Sequence, residues 1–381
     1  MYKNFLFLSL LLCFKTLLTL NVQVKESKQL DADTHYVIYS SSEFPLVAHV
    51  ITIPTGKIDI KLIPAAGQRE EVRSIAQRNS AFIAINGSNY RRGGRYNGNR
   101  LNLLYLDKQI YCDLQFLRGS FGWKSTSKTA TIDTTYLKID FLINKQPLPV
   151  DHINQPRTPG KSTIYTHNAD KFLALYTPGK NIIINNTGVI HDITVELPNS
   201  MPPDWYLYQV DKDALGTIEK GMSVEFNYEI KSVGNSYTHH EYDFILGGAG
   251  LLIQNGEVIS DRLYNEFSQG SAVVHGNDEV AADFHTKEMQ EWLIEQRHPR
   301  TAIGITDKNE ICIVVIDGRQ NDSQGLTLHE LAAFMKTVGC INALNIGGGG
   351  CSTLCINNQL INKPSAHEER PVSEALCILK S

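Results

Sequence analysis

The chain has 381 residues, 42% of them apolar and 20% charged, enough for one large core or two smaller ones. Its 36 basic and 40 acidic side chains leave a formal charge of −4, and no basic run exceeds Arg91-Arg92, which argues against a nucleic-acid surface. Low-complexity tracts, heptads and long internal apolar spans are absent, so no stable membrane span is expected.

The first segment stands apart. Lys3 precedes an almost wholly apolar run, Phe5 to Phe14, followed by Leu17, Leu18 and Leu20. Residues 1–20 read as a secretory signal peptide, implying a secreted or periplasmic protein, with an uncleaved N-terminal anchor as the alternative. Residues 21–33 read as a linker and residues 34–381 as one domain. Setting Cys13 aside, six cysteines remain (Cys112, Cys312, Cys340, Cys351, Cys355 and Cys377), an even number that permits disulfides in an exported chain. Cys312 and Cys377 lie in strand-like apolar runs and read as buried thiols or a pair.

His35 to Tyr39, Leu46 to Ile53 and Ile58 to Pro64 have the β-branched, alternating character of strands. Glu70 to Asn79 reads as a helix with Val72, Ile75 and Ala76 on one face, and Ala81 to Ile85 as the next strand. Cys112 to Glu241 alternates short strands with turn clusters. Phe284 to His298 reads as a packed surface helix ended by Pro299, with a lid as the alternative. Then come strands at Arg300 to Ile305 and Ile311 to Ile316, the latter ending in Asp317-Gly318-Arg319. Thr327 to Val338 reads as a helix: Leu328, Leu331, Met335 and Val338 share a face, Thr327 and Glu330 form a capping box, and Gly339 sits just past the end.

The strand Asn342 to Ile346 delivers Gly347 to Gly350, then Cys351, Ser352 and Thr353. Four glycines offer a strand nothing to pack, but they allow backbone to approach a ligand closely and to form an anion-binding concavity. Glu71 to Asn86 and Glu330 to Asn345 both run sixteen residues from a Glu, through helix and strand, to an Asn at a glycine turn. They read as a two-unit pseudo-repeat around a shared cleft, within an α+β fold of mixed sheets and a few packed helices.

These segments resemble the phosphodiester glycosidase family. The resemblance is carried by Arg300 to Gly304, Asp317 to Arg319, Ser323 to Ala332, Ala343 to Thr353, Asn362 to Ser365 and Arg370 to Leu376, with weaker matches at Ala84 to Tyr90, Ile153 to Arg157 and Ile245 to Leu252. It implies a secreted hydrolase that cleaves a glycosyl phosphodiester, of the GlcNAc-1-phosphodiester kind, to free sugar and a phosphomonoester. The implied partner is a small-molecule or glycan substrate, exopolysaccharide included, with no cofactor required and a divalent cation beside Asp317 left open.

Phosphate, with a second pKa of about 6, leaves without strong protonation, so one carboxylate plus anion donors would suffice. Asp317 is expected as base or nucleophile. Arg319 and Arg300, with the N–H groups of Gly348, Gly349 and Gly350, are expected to hold the diester. Asn86 and Asn345 are expected on the sugar, with Gly87, Gly347, Ser352 and Thr353 completing the subsite. One departure stands out: Gly347 replaces the family's Asp, and Cys351 its first Ser. A carbohydrate- or phosphate-binding protein that has lost catalysis is therefore the alternative reading.

Overall fold

The β-branched segments pair into antiparallel ladders, each strand satisfying its backbone through its neighbours. The computed structural model describes residues 20–92, 97–112, 117–169, 179–196, 198, 202–213, 218–234, 238–268 and 287–380. The expected signal or anchor lies outside these residues except for Leu20, as does the start of the helix read from Phe284.

Among the described residues, strands form sheets of eight, seven, five and five strands, and the only α-helices are the short segments Val72–Arg78, Leu263–Ser268, Lys287–Glu295 and Leu328–Thr337. The expectation of an α+β fold is corrected by this count: the protein is β-rich, with helices as covers rather than as a layer. The middle of the chain decides the matter. Thr129–Ile143 alone runs 15 residues and pairs along its length with Arg118–Lys124 and Val224–Ser232. Residues 21–33, read as a linker, instead contribute the strand Val22–Gln29, which forms an edge by pairing with His35–Ser41.

Two sheets frame the region of interest. In the eight-stranded sheet, Arg300–Thr306 lies between Glu310–Ile316 and Cys340–Gly348. In one five-stranded sheet, Ile83–Asn86 lies between Leu354–Ile356 and Glu374–Lys380. Their facing sides share one core: Ile51, Ile303 and Ile313 from the first sheet, Ile60, Ile85 and Leu376 from the second, closed by Trp123 of the seven-stranded sheet. Each such side chain contributes roughly 1.5–3 kcal/mol on full burial.

A helix covers the outer face of each sheet. Leu328–Thr337 buries Leu331, Phe334 and Met335 among Ala302, Val314 and Ala343. Val72–Arg78 buries Val72 and Ile75 against Ala84 and Ala375. The capping box forms as expected, Glu330 N–H donating to Thr327 Oγ1 at 3.0 Å and Thr327 N–H to Glu330 Oε2 at 2.9 Å. Gly339 ends the helix at φ +93°. Both helix–strand units of the sequence repeat exist, each in its own sheet. All six described cysteines are free thiols, and Cys312 and Cys377 lie in different sheets.

Candidate active site

The glycine segment is shaped by a bulge. Thr301 pairs with Gly347 and Ala302 with Asn345, so Ile346 is one residue too many and the strand bends there, its pairing resuming at Gly347 and Gly348. Gly347 then passes so close to the neighbouring sheet that a Cβ there would lie 2.6 Å from Asn86 Nδ2 and 2.7 Å from Gly87 O. Gly349 takes φ +64°, a conformation that L side chains rarely adopt. The resulting loop forms one wall of a cleft of about 360 Å³, near the lower end for a small-ligand site. Trp292, Met289 and Leu293 of the helix Lys287–Glu295 face it.

Charge in this cleft has one sign. Arg91, Arg92, Arg118, Arg300, Arg319 and Arg370 reach its wall, whereas no Asp or Glu among the described residues does. The arginines differ in their commitments. Arg300 is buried and donates to Leu326 O at 2.8 Å, Leu293 O at 2.7 Å and Gln296 O at 3.0 Å. It ties the end of the helix Lys287–Glu295 to its own strand, where a cation suits the free carbonyls. Burial pushes its guanidinium down to about 9, which leaves it charged at neutral pH. Arg118, also buried, lies 4.8 Å over the Phe267 ring and beside the Glu266 carboxylate.

Arg319 belongs to the cleft mouth. It follows Gly318, where a Cβ would meet Pro299 N at 2.7 Å, and it adopts φ +60°. Its exposed guanidinium donates to His298 Nδ1 at 3.1 Å and sits 5.6 Å above the Trp292 ring. His298 Nε2 lies 2.8 Å from Trp292 O, which fixes the neutral tautomer with its proton on Nε2. Burial, followed by the nearby Arg300 charge, pushes His298 down to about 4. The Arg319 guanidinium is itself held below its usual range, first by desolvation and then by repulsion from Arg370 and Arg92. Arg319 therefore feels two further cations at the mouth. Beside them, Cys351 Sγ is 3.4 Å from Tyr90 Oη and 3.8 Å from Arg370 Nη1.

The expected residues separate into two groups. Arg300, Arg319, Asn345 and Gly347 to Gly350 line the cleft; Asn86, Gly87, Asp317, Ser352 and Thr353 do not. Asn345 donates to Ala249 O at 2.8 Å, while its Oδ1 is buried with no partner among the described residues. Asn86 is a pin between sheets, its Oδ1 accepting from Thr301 Oγ1 at 2.7 Å and Thr353 N at 3.1 Å. Gly87 packs against Glu374.

Asp317, expected as base or nucleophile, lies behind the loop. Its Oδ1 accepts from Asn362 Nδ2 and from Lys363 N, each at 3.1 Å, and His49 Nε2 lies 3.5 Å from Oδ2. Asn362 in turn donates to Ser352 O at 3.0 Å, so Asp317 braces the segment that follows the glycines. No group of three or more His, Cys, Asp or Glu is gathered to hold a metal among the described residues. The Gly349 N–H, expected on the diester, donates to Pro299 O at 2.9 Å.

Sequence reasoning missed Arg91, Arg92, Arg370, Trp292 and the His298 contact. Two signals were present: Arg370 opens the last family-like motif, and Arg91-Arg92 directly follows Ala84 to Tyr90. Nothing in the sequence shows that these segments meet.

Compared with known proteins, the phosphodiester glycosidase family profile matches residues 168–379, more than half of the chain. The SPbeta prophage-derived protein YomE of Bacillus subtilis is 31% identical over 135 residues, covering 29% of this chain and 21% of YomE. Mouse N-acetylglucosamine-1-phosphodiester alpha-N-acetylglucosaminidase is 34% identical over 141 residues, covering 35% of this chain and 25% of that protein. The matches thus span a quarter or less of these relatives' lengths. A hypothetical protein from Synechocystis superposes with a TM-score of 0.73 at 16% identity, covering 94% of this chain and 64% of its own, which shows the shared fold. A Burkholderia pseudomallei K96243 protein described as exported gives a TM-score of 0.70 at 19% identity, covering 88% and 74%. With its glycine loop, its Asp-Gly-Arg turn and this profile match, the chain belongs to the phosphodiester glycosidase family.

Proposed function

We propose that the cleft binds a glycosyl phosphodiester and hydrolyses it to free sugar and a phosphomonoester, outside the cytoplasm. The observation that carries this reading is the convergence of Arg92, Arg319 and Arg370 on a cleft without a described carboxylate. Such a site favours an anion, and most of all one whose charge grows during reaction. When the anomeric C–O bond breaks, its electron pair passes to the phosphate oxygen. The monoester formed needs no acid at neutral pH, because its second pKa is about 6. Water completes the bond to the anomeric carbon and releases its proton to solvent. Asn345 Oδ1 is the free acceptor for a sugar hydroxyl or for that water. Asp317 acts as a positioning residue through Asn362 and the loop backbone. Export draws support from the apolar segment at residues 5–20 and from the Burkholderia structural relative.

A second reading has a specific observation behind it. The family's Asp is Gly347 here, and Asn86 and Gly87 leave no space for a side chain at that position. A binding protein without turnover would have this site. Sugar release from a GlcNAc-1-phosphodiester, measured with and without chelator, tests both. Release of free sugar is the expected result. Saturable binding with no release under either condition would select the binding protein.

A further inference from the structure

We propose that the natural ligand carries a second anionic group beside the diester, so that the substrate class is a repeating glycosyl phosphate polymer or another glycan with adjacent anions. This rests on the glycosyl phosphodiester reading and sharpens it by counting charge. A single diester supplies one negative charge. The cleft presents more than one uncompensated cation, and they are arranged by depth.

Deep in the cleft, Arg300 spends its donors on three backbone carbonyls and Arg118 has the Glu266 carboxylate nearby. At the mouth, Arg92, Arg319 and Arg370 enter no ion pair with a described residue. Arg319 is held in place by a neutral histidine and an indole, partners that orient a guanidinium without cancelling its charge. Among the described residues, the Arg370 guanidinium donates only to the Cys351 sulfur. Like charges repel, and after desolvation the charges of Arg370 and Arg92 add to what holds the Arg319 guanidinium below its usual range. A ligand that places two anions among three guanidinium groups relieves repulsion that one anion leaves standing.

Independently, Asn345 Oδ1 on the same wall is buried without a hydrogen-bond partner among the described residues, and so offers an acceptor to a donor group of the ligand. The enclosed volume of about 360 Å³ has room for a sugar and its phosphate, so the second anion falls at the exposed mouth, beside Arg92 and Arg319.

Calorimetric titration of the full chain with dimethyl phosphate and with methylenediphosphonate tests this at fixed salt. The first probe has one charge on one phosphorus; the second has two phosphorus groups and cannot be hydrolysed. Methylenediphosphonate is expected to bind at least about tenfold tighter, with a steeper decline of affinity on raising salt. The double variant Arg92→Gln/Arg319→Gln is expected to bring the two affinities within about twofold. Equal affinities in the unaltered protein would overturn the proposal, as would an advantage that survives the double substitution. Neither probe contains a sugar, so these outcomes stand apart from the sugar-release assay.

Discussion

Asp317→Asn separates a carboxylate that reacts from one that holds a loop. Two hydrogen bonds depend on the charge, from Asn362 Nδ2 and Lys363 N, each at 3.1 Å, and Asn362 and Asp317 are both buried. Hydrogen bonds to charged groups contribute about 1.5–3 kcal/mol each. The carboxamide keeps one oxygen and turns an NH2 group toward donors, so a loss of about 3 kcal/mol is expected. For a protein of 381 residues that corresponds to a fall in Tm of about 4 °C. Released from Asp317, Asn362 no longer fixes Ser352 O, and the glycine loop loosens. Phosphate affinity is then expected to drop about tenfold. The assay pairs a thermal melt with sugar release at saturating substrate, where much of the turnover should survive. A Tm within about 1 °C of the parent protein, together with abolished turnover, would refute this reasoning and return Asp317 to the chemistry.

Gly347→Ala is expected to cost about 1–3 kcal/mol, read by denaturant unfolding, because a Cβ at 347 lies 2.6 Å from Asn86 Nδ2. Gly347→Asp is expected to destabilise at least as much and to give no gain in sugar release. Arg319→Ala should weaken phosphate binding about tenfold in calorimetry while moving Tm little, since the side chain is exposed. Arg300→Met, by contrast, removes three hydrogen bonds, leaves Leu293 O and Gln296 O without the guanidinium, and should cost about 3 kcal/mol on melting. The pH dependence has a definite sign. His298 is held at about 4, below its ordinary 6.5, so the unfolded chain takes up the proton first. Its contribution to stability is complete above pH 6.5 and is lost as pH falls toward 4. His298→Gln should flatten the fall in Tm across that window relative to the parent protein.

Local pattern was enough for the elements around the cleft. The capping box at Thr327 and Glu330, the glycine stop at Gly339 and the β-branched runs from Arg300 and Ile311 specify themselves through short-range hydrogen bonding and side-chain period. The glycines from 347 to 350 likewise announced a place where backbone passes close to something. What they pass close to was not legible, because Asn86 and Gly87 lie in another sheet more than 250 residues away in sequence. Fold class was misread for a related reason: helix patterns are dense at the two ends of the chain, while the long middle reaches its β architecture only through pairings between distant strands. The site residues were divided by the same logic. Asp317 and Arg319 are two positions apart, yet the left-handed turn at Arg319 sends one side chain to the cleft and leaves the other behind the loop. Burial of a carboxylate among Asn362, Lys363 and His49 and the gathering of Arg92, Arg319 and Arg370 are properties of the packed sheets. A sequence sets the chemistry that each residue can perform, and only tertiary contact decides which of those groups are used up in holding the fold and which stay open to a ligand.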